Sequence, residues 1–310
     1  MAFFELIPAC KEYLWGGTKL ITEYNKNYSG DRLGETWELS CHPDGLSVIG
    51  SGTHKGQTLR DYIAEKGKDI LGSRCGIYEE FPIMIKLIDA EDHLAIQVHP
   101  DNEYAFRHEG QYGKTEMWYI LEADEEAFLY YGFKSAITKE EFRKRIADGT
   151  LLEVLNAVHV KKGDVFYIPA GTVHAIGKGI VTAEIQQSSN VTYRIFDFNR
   201  LDADGKPRQL HIGQALDVTN FSMPPEKYDF GGHLVRCPYF TADTVRGPYQ
   251  GVCDAASFAH ILIVEGSGTV SCCGESIRCR KGSSLFITAN SGIFSIIGDM
   301  EALITRVGTM

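Results

Sequence analysis

Residues 163–174, GDVFYIPAGTVH, restrict this chain more than any other stretch. Gly163-Asp164 reads as a turn, Val165 to Ile168 as an apolar strand, and Pro169-x-Gly171 as a sharp turn with His174 just past it. A second stretch, Leu94 to Asn102, reads as a strand in which Ile96 and Val98 face one way and Gln97 and His99 the other. Pro100 ends it, having no N–H to give to a ladder. A Gln and a His on one face of an otherwise apolar strand are expensive to bury without partners. A third stretch, Lys114 to Leu121, is a strand candidate with Glu116 near its start. Gln97, His99, Glu116 and His174 make a nitrogen and oxygen ligand set without thiolates. Such a set suits a catalytic zinc with an open position, and nickel, cobalt, manganese or iron accept the same donors.

A single buried His, or Glu116 taken alone, is more often a hydrogen-bonded core residue than a ligand. The spacing changes the balance. Gly163 to His174 fits G-x5-P-x-G-x2-H, the second motif of the cupin family, at every fixed position. The first cupin motif ordinarily carries H-x-H followed by Glu. Here Gln97 stands for the first His and Glu116 comes later than usual. Gln-x-His with a delayed Glu resembles the type I mannose-6-phosphate isomerases, and the resemblance spans the chain, most clearly residues 80–205.

At 310 residues the chain can form one large or two ordinary domains. A net charge of −10, from 31 basic and 41 acidic residues, argues against nonspecific nucleic-acid binding but leaves room for a local basic pocket. The eight cysteines form no C-x-x-C pair, and the N-terminus lacks the basic and apolar regions of a signal peptide. No run of about 18 apolar residues is present to cross a membrane. The expectation is a cytoplasmic protein with reduced cysteines.

Short strand candidates with glycine turns dominate. Glu35 to Leu39 alternates, and Pro82 to Asp89 is an apolar strand with Lys86 in its middle, at an edge or reaching into a polar pocket. Thr58 to about Lys66 and His211 to Val218 read as short helices. Residues 135–158 break the pattern: Thr138-x-x-Glu141 is a capping box, and Leu151, Leu152 and Leu155 suggest further helical turns. Asn199 to Arg208 is loop-like, and Pro224-Pro225 marks a boundary. A faint repeat relates Trp118–Glu122 to Ile261–Glu265 and Gly163–Ile168 to Gly282–Ile287. The markers are 41 residues apart in the first copy (Glu122 to Gly163) and 17 in the second (Glu265 to Gly282). The helical stretch accounts for the difference. In the second copy Ala259 and Ile293 fall where the first has Glu116 and His174, so that copy holds no such metal.

The expected fold is mainly β, with two cupin-type double-stranded β-helix (jelly-roll) domains and a short helical insertion. Residues 1–223 are expected to form a metal-binding catalytic domain, with the insertion at about 135–158, and residues 224–310 a cupin-like domain without ligands. The resemblance implies interconversion of mannose 6-phosphate and fructose 6-phosphate with one Zn2+ per chain, held by Gln97, His99, Glu116 and His174. It implies Arg194 as the catalytic arginine, Lys114 as the proton-transfer base with Glu184 as its rival, Lys86 as a pocket lysine, and Trp15 close to the substrate. The long forms carry His-Lys-Pro-Glu where this chain has Gly113-Lys114-Thr115-Glu116, so a role assigned to that His does not carry over. The implied partner is a sugar phosphate, bound by a monomer or homodimer. Another metal-dependent cupin enzyme, such as an iron dioxygenase, and a non-catalytic sugar-binding cupin are the competing classes.

Overall fold

A computed structural model describes residues 2–201 and 204–309. The loop expected at 199–208 is thus described apart from residues 202 and 203, which lie outside the described residues. Among the described residues the chain forms antiparallel sheets of nine, six and five strands.

The six-stranded sheet is central. Its order is Val165–Ile168, Glu116–Ala123, Ile180–Gln187, Ile83–Ala90, Glu35–Leu39 and Ala9–Lys11. Every residue of Ile83–Ala90 and Ile180–Gln187 is buried, which requires cover on both faces. One face, with Ile83, Ile85, Leu87, Met117, Leu121, Ala183 and Ile185, shares a core with Phe4, Leu262, Phe286 and Leu303 of the nine-stranded sheet. The other, with Ile88, Ala90, Trp118, Ile120 and Ile180, packs on Leu129, Tyr131 and Ile176 beside the five-stranded sheet. Each fully buried Leu, Ile or Phe contributes roughly 1.5–3 kcal/mol.

The five-stranded sheet runs Tyr193–Phe196, Ile96–Val98, His174–Ala175, Phe128–Phe133, Leu155–His159. Its outer face packs against the helices Lys139–Ala147 and Ile212–Val218 through Phe133, Phe142, Leu155, Ala215 and Leu216. Thr138 caps the first of these as its sequence requires, accepting from the Glu141 N–H at 3.1 Å. The helical reading of 135–158 needs correction at its end. Leu151–Glu153 is a single 3-10 turn, and Leu155–His159 is a strand paired to Phe128–Phe133 from Phe133↔Leu155 to Phe128↔His159. That pairing satisfies backbone groups on an edge that a helix would leave open. The strand Phe128–Phe133 itself and a helix at Asn102–His108, capped by Asp101, went unforeseen.

The C-terminal sheet is built on two long strands, Ala259–Cys272 and Gly292–Val307, paired from His260↔Thr305 to Cys272↔Phe294. The internal repeat holds in register. Glu116 lies opposite Ile168 and Tyr119 opposite Val165 in the first copy; Ala259 lies opposite Ile287 and Leu262 opposite Ser284 in the second. The first strand, Phe3–Ile7, pairs with Ser284–Ile287. A boundary at residue 223 therefore leaves that strand in the N-terminal segment while its hydrogen bonds lie in the C-terminal sheet.

Candidate metal centre

The site lies between the five- and six-stranded sheets. Directly opposed residues of antiparallel strands point to the same face. On the five-stranded sheet Gln97 stands opposite both His174 and Arg194. On the central sheet Lys86 stands opposite Glu184 and Trp37, Glu184 opposite Trp118, and Glu116 opposite Gln186. His99 follows the strand Ile96–Val98, and its carbonyl accepts the Gly171 N–H at 2.8 Å, which ties it to the turn before His174.

Three of the four expected ligands converge closely. One ligand atom each from His99, Glu116 and His174 falls within 4.8 Å of the others, and all three residues are buried. His174 Nε2 is 3.2 Å from Glu116 Oε1, and His99 Nε2 is 3.6 Å from Glu116 Oε2. Each ring directs Nδ1 at a backbone carbonyl, His99 at Val191 (2.9 Å) and His174 at Thr172 (2.8 Å). Those bonds put the proton on Nδ1 and leave a lone pair on Nε2. Burial keeps both rings neutral: it pushes His99 well below the usual imidazole range, helped by Lys114, and His174 down to about 4. Two imidazole nitrogens thus face a buried carboxylate, of which Oε1 has no hydrogen-bond donor while Oε2 and His99 Nε2 share the Lys114 ammonium, at 2.7 and 3.1 Å. Two nitrogen donors and a carboxylate gathered around one point fit a cation held among them. Gln97 is half-buried beside them, its amide 3.2 Å from His174 Nε2.

An alternating row of buried charges leads away from the trio. Glu116 Oε2 is 2.7 Å from Lys114 Nζ, which is 3.6 Å from Glu184 Oε1. Lys86 Nζ is 3.2 Å from the same Glu184 oxygen and 3.4 Å from Glu35. Glu184 Oε2 accepts the Trp118 indole N–H at 2.8 Å. Burial raises Glu116, and the nearby Glu184 adds to that. Burial would raise Glu184 too, but Lys114 and Lys86 override it and hold that carboxyl well below the usual range. Burial alone would lower Lys86; Glu35 and Glu184 hold it up.

The structure thus brings Lys86, Lys114 and Glu184 to the trio. Arg194 is half-buried at its rim beside Gln97; Nη1 donates to the Gln209 carbonyl at 2.9 Å, and Nε is buried without a partner. Trp15 belongs to the apolar cluster that contains Trp118, whose ring packs edge-on to His174 with centroids 5.3 Å apart. Trp15 is 5% exposed in that cluster, with Ile88, Ala90 and Leu94, and Tyr13 stacks on it with centroids 4.9 Å apart. Glu35 was not foreseen as a site residue, although its alternation with Trp37 on one strand face was the available signal. Trp37 donates its indole N–H to Glu35 at 2.8 Å.

Family comparison agrees with this geometry. The model for "Phosphomannose isomerase type I, catalytic domain" matches residues 3–126, and that for "Mannose-6-phosphate isomerase, cupin domain" matches residues 232–307. The mannose-6-phosphate isomerase of Streptococcus mutans is 39% identical over 300 residues, covering 94% of this chain and 93% of that protein. The mannose-6-phosphate isomerase ManA of Bacillus subtilis is 36% identical, covering 97% of each. The crystal structure of the Bacillus subtilis mannose 6-phosphate isomerase superposes with a TM-score of 0.90 at 32% identity, over 98% of this chain and 99% of that one. The fold is accordingly mainly β and cupin-type, and the chain belongs to the type I phosphomannose isomerase family.

Proposed function

We propose that this chain is a metal-dependent aldose–ketose isomerase that interconverts mannose 6-phosphate and fructose 6-phosphate. The observation that carries the reading is the facing of two neutral imidazoles and a buried carboxylate between the sheets, in a chain similar over its whole length to mannose-6-phosphate isomerases. Zn2+ held by His99, Glu116 and His174, with the Gln97 amide oxygen turned inward, would supply a Lewis acid that steadies negative charge on neighbouring sugar oxygens.

The reaction moves a proton between C1 and C2 as the carbonyl migrates, through an enediolate. Lys114 is the better base of the two candidates: Lys86 stabilises the Glu184 carboxylate and weakens it as a proton acceptor, whereas a divalent ion beside Lys114 would disfavour its ammonium form. Glu184 instead holds the Lys86 ammonium in place. Arg194, always charged, supplies a fixed cation to a developing oxyanion or to the phosphate. Trp15, stacked with Tyr13 in the apolar wall beside Trp118, keeps its place close to the substrate. We place the enzyme in the cytoplasm, in keeping with eight free cysteines, as a monomer or homodimer. A coupled assay for fructose 6-phosphate, with and without chelator, tests the whole reading. Product formation that stops on chelation and returns with zinc supports it; no product, or full turnover after chelation, overturns it.

A further inference from the structure

We infer that Arg208, clamped by Asp197, grips the phosphate of the substrate together with Arg194, so that this pair selects phosphorylated over free hexose. The inference rests on the isomerase reading and adds residues to it. Residues 207–211 return alongside the edge strand Tyr193–Phe196: the His211 N–H donates to the Arg194 carbonyl at 2.8 Å, the Arg194 N–H to His211 Nδ1 at 3.2 Å, and Arg194 Nη1 to the Gln209 carbonyl at 2.9 Å. Arg208 is therefore delivered next to Arg194, which stands opposite Gln97 at the rim of the metal trio.

Asp197 is 5% exposed and receives two arginines. Arg208 donates Nε to Oδ2 and Nη2 to Oδ1, both at 2.6 Å. Arg200 donates Nη2 and Nε to Oδ1 at 2.5 and 3.2 Å, and Nη1 to the His93 carbonyl at 2.5 Å. Two guanidinium groups thus share Asp197, with Arg194 beside them; among the described residues Asp92, half exposed, is 3.8 Å from Arg200. In a chain of net charge −10 this is a local excess of positive charge. Arg194 Nε is buried with no acceptor, and burial together with the neighbouring Arg208 lowers that guanidinium. Like charges gathered around an unmet donor fit a dianionic phosphate monoester, which accepts two parallel N–H bonds from each arginine. Asp197 is a positioning residue: its two-point hold on Nε and Nη2 fixes the plane in which Arg208 presents its remaining donors.

The test uses the full-length, zinc-loaded enzyme and its variants Arg208→Ala, Arg208→Lys and Asp197→Asn. For each, kcat and KM are measured with mannose 6-phosphate, and binding of inorganic phosphate by calorimetry. Arg208→Ala is expected to raise KM and weaken phosphate binding by about tenfold or more with kcat nearly kept, Arg208→Lys to recover part of this, and Asp197→Asn to follow Arg208→Ala more mildly. Unchanged KM and phosphate affinity in Arg208→Ala, or equal loss in the Ala and Lys variants, overturns the inference while leaving the isomerase reading intact. Phosphate binding needs no turnover. An inactive wild type that binds phosphate through Arg208 would therefore sink the isomerase reading and leave this anion site standing, and failure of the wild type to bind phosphate would sink the anion site.

Discussion

Stripping the metal is expected to lower the melting temperature substantially, and His174→Ala is expected to abolish that dependence. A ligand that binds only the folded state stabilises it by ~2.7 kcal/mol at about 100 times its Kd and by ~4.1 kcal/mol at about 1,000 times. The geometry gives a similar figure independently. Without the metal, Glu116 Oε1 is buried against the His174 ring with no hydrogen-bond donor, while Oε2 keeps the Lys114 ammonium at 2.7 Å. At about 1–3 kcal/mol for one orphaned buried polar atom, the apo state bears a penalty of that order. Roughly 2–4 °C per kcal/mol for a folding unit of this size makes the expected rise about 5–15 °C on saturation. The assay is differential scanning fluorimetry on chelator-treated protein titrated with zinc, then with nickel, cobalt, manganese and iron(II). The comparison is made within each variant, so any loss of baseline stability from removing the His174 ring does not enter. Lys114→Met lacks no ligand and should retain the shift while losing turnover. A wild type whose melting point ignores every metal, or a His174→Ala protein that responds as fully as wild type, would refute the ligand assignment.

Three further outcomes are expected. Arg194→Ala should retain the metal-dependent shift and lose turnover by orders of magnitude; wild-type kinetics would reduce Arg194 to a structural residue. Gly113→Ala should destabilise by ~1–3 kcal/mol in urea unfolding and depress kcat, because a Cβ there would come within bonding-like range of the Asp101 carbonyl carbon and the Asn102 nitrogen, backbone that cannot swing aside. His260 is fully buried, and burial lowers it to about 3, followed by a smaller push from Lys26. Its folded value lies below the unfolded 6.5, so stability is complete above pH 6.5 and is lost progressively as pH falls towards 3, by as much as about 5 kcal/mol. His260→Gln should flatten that acid limb in melts between pH 7 and 4; an unchanged pH profile would remove His260 as its cause.

The cluster of His99, Glu116 and His174 could be read from the sequence because local chemistry fixes it. Pro169 and Gly171 force the turn that precedes His174, and Pro100 closes the strand that carries Gln97. The register of the repeat could be read as well, since Gly163 and Gly282 each open the second strand of their pair. Strand lengths at the C-terminus could not. Glu265-Gly266-Ser267-Gly268 looks like a turn, yet Ala259–Cys272 runs straight through it. A Cβ at Gly266 or Gly268 would collide with the backbone oxygens of Asp299 and Ile297, so these glycines permit close approach of paired strands instead of a reversal. Glu35 and Asp197 were missed for another reason: each matters through a cation brought to it by the fold, Lys86 across the sheet and Arg208 from the returning loop.

The two-sided burial of the central sheet explains how a second, ligand-free copy serves the first. Glu35, Lys86, Glu184, Lys114 and Glu116 form a row in which each charge has an opposite neighbour, and removing one partner from such a buried pair costs about 3–5 kcal/mol. The row is held rigid only if its strands cannot part, and the strands are clamped from behind. On the rear face Ile85, Leu87, Met117 and Ile185 share one apolar core with Leu262, Phe286 and Leu303. Polar ties mark the edges of that contact: Tyr119 donates to Glu301 at 2.8 Å, Lys281 to Glu122 at 2.9 Å, and buried Lys26 bridges Glu38 at 2.7 Å and the Gly282 carbonyl at 2.6 Å. That Ala259 and Ile293 stand where the first copy has Glu116 and His174 fits a copy that serves the site through its outer face. By excluding water from the back of the sheet it keeps the local dielectric low, where the fixed charges at the front act most strongly on a bound anion.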